Sequence, residues 1–300
     1  MVVVQTGKYG RLGNRLILSA HLLAFAKEYR HWFVDFGFDE YAIFFSSSSN
    51  RPFLSWPQFP LGFPFAEKAQ TISFTLSRHV TVGGRANRIF GKYEWFEQIY
   101  LKSLAEEANL DLESNRELVK RLINSKIVVC DGWWIRSHNL VQKHSSFIID
   151  FFRPNLAIQR EVYDRIEKLR QGTDYLVGVH VRREDYRVVA PHLVFEDSTW
   201  KKILFRIKEM LHPCTVKFVV CSNESLNWMN TNDLDYVIVK GEPVVDLHIL
   251  AACDYIVGPP STFSEWAAFV GRSKLCVLRS EQIGEIDSFI PITSPEGTRL

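Results

Sequence analysis

The sequence predicts an α/β protein built on two parallel sheets, and three observations carry that prediction. Its 300 residues reach the size at which a single hydrophobic core stops growing, so two domains are expected. The second half alternates short β-branched runs with segments of helical periodicity, the pattern of a parallel sheet wound on both sides. The first half opens on a β-branched run, a glycine-rich turn and an apolar segment of helical spacing, which is how an α/β layer begins.

Taken in order, residues 1–5 read as a strand that runs into the turn GKYGRLGNR, and 16–29 read as a helix. The region 39–91 holds SSSSN, Pro52, Pro57, Pro60, Pro64 and many aromatics, and reads as loops and short elements at the surface of the first domain. A strand is expected at 127–130, just before the pair Trp133 and Trp134. Pro154 is placed to open a helix that ends at Gly172, which puts the boundary between domains 1–153 and 154–300. Beyond it come a strand at 175–181 and a helix at 199–211. Ser198 is the expected cap of that helix, and Trp200, Ile203, Leu204, Ile207 and Leu211 form its apolar stripe. Strands at 216–221 and 236–239, a helix at 247–252, a strand at 255–257, a helix at 263–270 and a strand at 274–278 complete the alternation.

Composition narrows the function classes. A net charge of +2 is too mild for a nucleic-acid partner, which requires a clustered basic face. The five cysteines form no C-x-x-C pair, and several sit in apolar runs such as FVVCS and ILAAC. They read as buried free thiols of a reducing compartment. No basic-then-apolar leader and no long apolar run is present in the sequence, so a cytoplasmic protein without a transmembrane segment is expected.

Three segments carry candidate chemistry. In VGVHVRREDYR, strand parity places Gly178, His180 and Arg182 on one face and Val177, Val179 and Val181 on the other. His180 and Arg182 are thus delivered together at a strand end, where open α/β sheets bind ligands; an arginine there offers a planar fork for phosphate oxygens. Arg183 and Asp185 would fall on the opposite side if the strand continued. In DLHILAACDYIVGPPSTFSEW, Ser261 and Thr262 stand at a helix start, where hydroxyls and unpaired N–H groups suit an anion. In the first turn, Gly10 and Gly13 would let the backbone approach a ligand closely, although the spacing is neither a dinucleotide fingerprint nor a phosphate-binding loop of the Walker type. Each segment also has a plain structural reading: a solvated strand end, a helix cap, a tight turn.

Together and in this order the segments resemble a known superfamily. HVRREDY is similar to the His-x-Arg-Arg-x-Asp motif of the α1,2-, α1,6- and protein O-fucosyltransferases, and GRLGN to the N-terminal Gly-x-x-Gly-Asn loop of the α1,2- and protein O-enzymes. FVVCSNESLNW and DLHILAACDYIVGPPSTFSEWAA resemble their two later motifs. The resemblance implies a GT-B fold, two Rossmann-like domains with parallel sheets facing across a cleft. The first would be the acceptor side and the second would hold the nucleotide sugar.

Carried onto this chain, Arg182 would bind the β-phosphate of GDP-fucose, with His180 beside it. Asp246 would read the guanine edge, and Ser261, Thr262 and Phe263 would donate to the diphosphate. Asn14, with Gly10 and Gly13, would reach the donor. Asp185 is the favoured general base, with Glu184 and Asp35 behind it, and Arg183 would be support, pairing with Asp185. The implied enzyme is an inverting, metal-independent glycosyltransferase (hexosyl class), with GDP-fucose as donor substrate and no permanent cofactor. Its acceptor would be a carbohydrate or a glycosylated or peptide hydroxyl. No Asp-x-Asp of metal-binding character stands out, since Asp233 and Asp235 read as a turn entering a strand. Many α1,2-enzymes have Gly in place of Glu184 and Asn-Ser-Ser-Phe-Ser-Trp-Trp in place of PPSTFSEW. Glu265 would add a negative charge near the diphosphate unless it points outward. Use of another nucleotide sugar, or non-catalytic binding of a nucleotide or glycan, stays open.

Overall fold

In the computed structural model, residues 2–5, 7–48, 51, 53–58, 96–100, 110–114, 116–226 and 233–297 are described. Most of the region 39–91 and the end of the motif 218–228 lie outside them. The chain divides into two units, Met1–Asn155 and Leu156–Leu300.

The first unit is built from β1 (Val2–Gln5), α1 (Leu12–Glu28), β2 (Trp32–Asp35), α2 (Asp39–Ala42), β3 (Leu54–Trp56), β4 (Phe96–Tyr100), β5 (Leu110–Asp111) and α3 (Arg116–Asn124). It continues with β6 (Ile127–Asp131), β7 (Ile135–Arg136), α4 (His138–Lys143) and α5 (Ser145–Phe151). Its main sheet has the order β3-β2-β1-β6-β4, parallel except for β3. Helix α1 is buried along nearly its whole length, so it forms an inner layer rather than an amphipathic cover. It starts earlier than its apolar spacing suggests, at Leu12, which puts Gly13 and Asn14 inside its first turn. Gly10 alone of the pair takes left-handed backbone, at φ 64°.

The second unit holds α6 (Leu156–Leu169), β8 (Tyr175–Val181), α7 (Tyr186–Val189), α8 (Asp197–Met210), β9 (Val216–Ser222), β10 (Tyr236–Val239), α9 (Pro243–Ala251), β11 (Tyr255–Gly258), α10 (Thr262–Gly271), β12 (Lys274–Val277) and β13 (Ile290–Pro291). The sheet order is β10-β9-β8-β11-β12-β13, with only β13 antiparallel. Val177, Val179 and Val181 pack with Phe218 and Val220 against Trp200, Ile203, Leu204 and Ile207 of α8. The other face lies on α9: a Cβ at Gly178 would come within 2.8 Å of Leu250 Cδ2. The parity of β8 is therefore as its sequence requires.

Several local expectations change. Ser198 lies inside α8, whose cap position is Glu196 without a side-chain cap bond. Pro154 forms an isolated bridge with Phe45, and α6 begins only at Leu156, while Gly172 beyond its end does adopt φ 67°. Helix α9 starts at Pro243, which moves Asp246 into a first helical turn. Cys214 is half-buried, and the other four cysteines are buried and free. Among the described residues no helix is long and apolar enough to cross a membrane.

Both sheets have a topological switch point, where successive strands are added on opposite sides and a crevice opens at the strand ends. In the second unit β9 and β10 extend one way from β8 while β11 and β12 extend the other. In the first unit the reversal falls between β1 and β6.

Candidate functional site

The switch point of the second unit lies between β8 and β11, which run side by side in parallel with Val177 opposite Tyr255 and Val179 opposite Val257. Gly258 makes that approach feasible, since a Cβ there would sit 2.8 Å from the His180 carbonyl oxygen. Beyond the strands the chain turns on both sides, and the two turns are joined through one arginine.

Arg182 donates from Nε to Asp185 Oδ1 at 3.1 Å, from Nη2 to Asp185 Oδ2 at 2.6 Å, and from Nη1 to Ser261 Oγ at 3.1 Å. Its guanidinium lies 4.6 Å from the ring centroid of Tyr186, whose hydroxyl donates to the Pro260 carbonyl. Burial alone would lower the arginine pKa, but the Asp185 carboxylate outweighs it and the net shift is upward. The cation is thus fixed in place and always charged, with 21% of its side chain still open.

Ser261 caps α10, its Oγ accepting from the Phe263 amide at 3.3 Å. Thr262 is the first residue of α10, in the turn whose amides face outward, while the Phe263 amide is taken by the Ser261 cap. The Phe263 ring packs on His180 with centroids 5.1 Å apart, and His180 Nδ1 lies 3.3 Å from Ser264 Oγ. Burial, with Arg182 adding to it, pushes the His180 imidazole down to about 3. It is a neutral group that orients the start of α10.

Asp246 stands further along the same sheet edge, where Cys221 Sγ at the end of β9 reaches the Asp246 carbonyl. Burial raises its carboxyl pKa, against the Gly241 amide and Arg165. Its Oδ1 is buried without a hydrogen-bond partner among the described residues.

Arg183 does not pair with Asp185, which Arg182 occupies. It turns away from the switch point to Asp197 (2.5 Å), Glu224 (3.4 Å) and the Phe195 carbonyl (3.1 Å). Asp185 in turn does not lie opposite Arg182, because β8 ends at Val181 and the chain bends. Glu265 points away from the anion site: its carboxylate accepts the amides of Glu296 and Gly297 and holds down the C-terminal segment. Tyr186 escaped the sequence reading, although its place four residues after Arg182, at the start of a short helix rather than in a strand, is the signal that would have found it.

Gly10, Gly13 and Asn14 belong to the first unit. The Asn14 side-chain amide folds over Gly10, where a Cβ would lie 2.1 Å from Nδ2. Arg15 binds this turn to the exit of β2, donating to the Gly10 and Gly37 carbonyls and pairing with Asp39 and Glu40. Asp35, at the end of β2, is buried with the Ser19 hydroxyl on it. Burial pushes it up to about 7, against Ser19, the Gly37 amide and Arg15. Asp233 and Asp235 lead into β10, with Asp235 near Lys217. Among the described residues no group of three or more His, Cys, Asp or Glu is placed to hold a metal ion.

Residues 137–282, which contain this whole switch point, match the family described as glycosyl transferase family 11. No curated protein sequence matches the chain. The fold of the chain is that of solved fucosyltransferases of GT-B type. Arabidopsis thaliana FUT1, determined as a point mutant with GDP, is 16% identical with a TM-score of 0.58, over 93% of this chain and 72% of that one. The α-1,6-fucosyltransferase NodZ, soaked with GDP-fucose, is 16% identical with a TM-score of 0.52, over 92% and 94%. NodZ from Bradyrhizobium as the selenomethionine protein is 17% identical with a TM-score of 0.53, over the same shares.

Proposed function

We propose that this protein is a glycosyltransferase that transfers fucose from GDP-fucose to a hydroxyl of a carbohydrate, glycosylated or peptide acceptor, with inversion and without a metal. The second unit holds the donor and the first serves the acceptor. The observation that carries the reading is Arg182, joined to Ser261 across the switch point and backed by the amides of α10. The similar structures solved with GDP or GDP-fucose support the choice of donor.

In this reaction the acceptor oxygen attacks the anomeric carbon while its bond to the β-phosphate oxygen breaks. GDP leaves with the electron pair, and the acceptor proton passes to solvent or a nearby carboxylate. Negative charge grows on the diphosphate, and Arg182, the Ser261 hydroxyl and the start of α10 at Thr262 and Phe263, whose helix dipole points there, are preorganised to meet it. Asp185 spends both oxygens on Arg182, so it acts first as the group that aims the fork. The sugar passes through an oxocarbenium-like state, so the acceptor needs little deprotonation before attack. Asp246 offers its unpartnered Oδ1 to the N–H donors of a guanine.

Purified protein incubated with GDP-fucose and candidate glycans should release GDP at the same rate with and without EDTA. Preference for a UDP or dTDP sugar would replace the donor, and binding without turnover would make the protein a nucleotide-binding module. Arg182→Ala should lower turnover by at least ~100-fold, the loss typical of one preorganised donor, with the folded state intact by circular dichroism. Near-normal turnover in that variant removes the mechanism.

A further inference from the structure

The switch point of the first unit is built from different chemistry. Gln5 of β1 lies opposite Cys130 of β6, so the glycine turn and the segment Gly132, Trp133, Trp134 leave the same sheet edge side by side. The two indoles have centroids 5.7 Å apart at 56°. Arg136, fully buried, holds them from within, its guanidinium 4.6 Å from the Trp133 ring and 5.4 Å from that of Trp134. Its Nη1 donates to the Trp133 and Ile135 carbonyls at 2.6 and 2.9 Å. Ser137 then ties the segment to α1, its amide donating to His21 Nδ1 at 3.0 Å and its hydroxyl to the His21 carbonyl at 2.7 Å. A desolvated guanidinium against indole is a strong cation–π contact, so these rings are fixed rather than draped on the surface.

Rings that served the core alone would be buried as Trp200 and Trp266 are, yet Trp133 and Trp134 both remain partly open. A rigid, half-open aromatic pair at a sheet's ligand edge is a stacking surface. Its occupant is uncharged, because Arg136 lies fully buried behind the rings, engaged by their faces and by the Trp133 and Ile135 carbonyls, and so presents no charge to a ligand on the open side. A pyranose fits, since its C–H face packs on indole while its hydroxyls stay in water. We propose that Trp133 and Trp134 form the platform that binds the acceptor sugar, a neutral pyranose of an oligosaccharide. This rests on the transferase reading for the word acceptor, while the platform itself rests on the geometry.

Saturation-transfer NMR with lactose, N-acetyllactosamine, cellotetraose and chitotetraose reads the platform without requiring turnover, and calorimetric titration with GDP reads the donor site separately. At least one sugar should give transfer to its ring C–H protons in the wild type. Trp134→Ala and Trp133→Leu should cut that signal at least tenfold and raise the acceptor KM by a similar factor wherever transfer is measured, with the GDP Kd within twofold. Trp133→Phe keeps a ring over Arg136 should the Leu variant fail to fold, and should retain part of the signal. Trp32, at the start of β2 and so at the opposite sheet edge, is the control: Trp32→Phe should change nothing. Silence of all four sugars with the wild type, or unchanged signals in both platform variants, overturns the platform. Failure of GDP to bind the wild type overturns the donor reading and leaves the NMR result standing.

Discussion

Asp35 is a carboxyl at 2% exposure whose pKa stands near 7, and burial is the cause. In the unfolded chain it would ionise near its ordinary value of 3.8, so between those two values the folded state binds the extra proton. Its contribution to stability is present below about pH 4 and is lost as pH rises toward 7, by up to about 4 kcal/mol. His180 works in the opposite sense: its folded pKa is depressed, so its contribution is intact above about pH 6.5 and is lost as pH falls toward its folded value. Asp35→Asn, which mimics the protonated acid, should therefore gain on the wild type as pH rises from about 4 to 8 in urea unfolding. Parallel pH profiles for the two proteins would rule the buried acid out as the cause. At this scale the sequence revealed which residues gather at strand ends, because parity fixes the direction of His180 and Arg182. It did not reveal partners. Arg183 finds Asp197 and Glu224, and Arg182 finds Asp185, only because β8 stops at Val181 and the chain bends, a turn that alternation alone cannot foresee.

Helices α9 and α10 pack so closely that their contact leaves no room for a side chain at Gly271. A Cβ there would lie 1.8 Å from the Ala251 carbonyl oxygen and 2.6 Å from its carbon, both backbone atoms. Gly271→Ala must push the two helices apart, and with them Asp246 at one N-terminus and Ser261 at the other. Overpacking of this kind costs about 1–3 kcal/mol and sometimes more. The variant should show a lower urea midpoint and a weaker affinity for GDP; wild-type values for both would mean that the helices shift without disturbing the site. Strand and helix identities in this unit were legible because each alternates cleanly with the next. Helix starts were not: α1 and α9 begin four residues before their apolar repeats suggest, because the first-turn residues Gly13, Asn14 and Asp246 are small or polar and do not extend the repeat. The same logic explains Glu265, a charge in a largely apolar helix that is satisfied by the amides of Glu296 and Gly297, contacts thirty residues away that no local pattern encodes.

Across the whole chain one architectural rule places chemistry twice. Each unit reverses its strand order once, and each reversal carries the residues left over from packing: an arginine, hydroxyls and helix amides in one, fixed indoles in the other. The first set suits an anion and the second a neutral ring, a division of labour that a transferase with a charged donor and an uncharged acceptor requires. The motifs singled out the arginine and hydroxyls of one reversal, although a solvated strand end and a helix cap explain the same residues in the sequence alone. The indoles of the other belonged to no motif, and Arg136 beneath them is visible only in the fold. The division predicts where a nucleotide acts. A ligand that binds only the folded state at about 100 times its Kd stabilises what it contacts by about 2.7 kcal/mol, so GDP should slow amide hydrogen exchange at 181–187, 243–247 and 261–265 by up to about 100-fold. Exchange at 133–137, under the indoles, should not change with GDP alone, and an oligosaccharide that binds should slow it. If GDP protects 133–137 as strongly as 261–265, the two switch points do not divide donor from acceptor, and the indoles belong to the nucleotide.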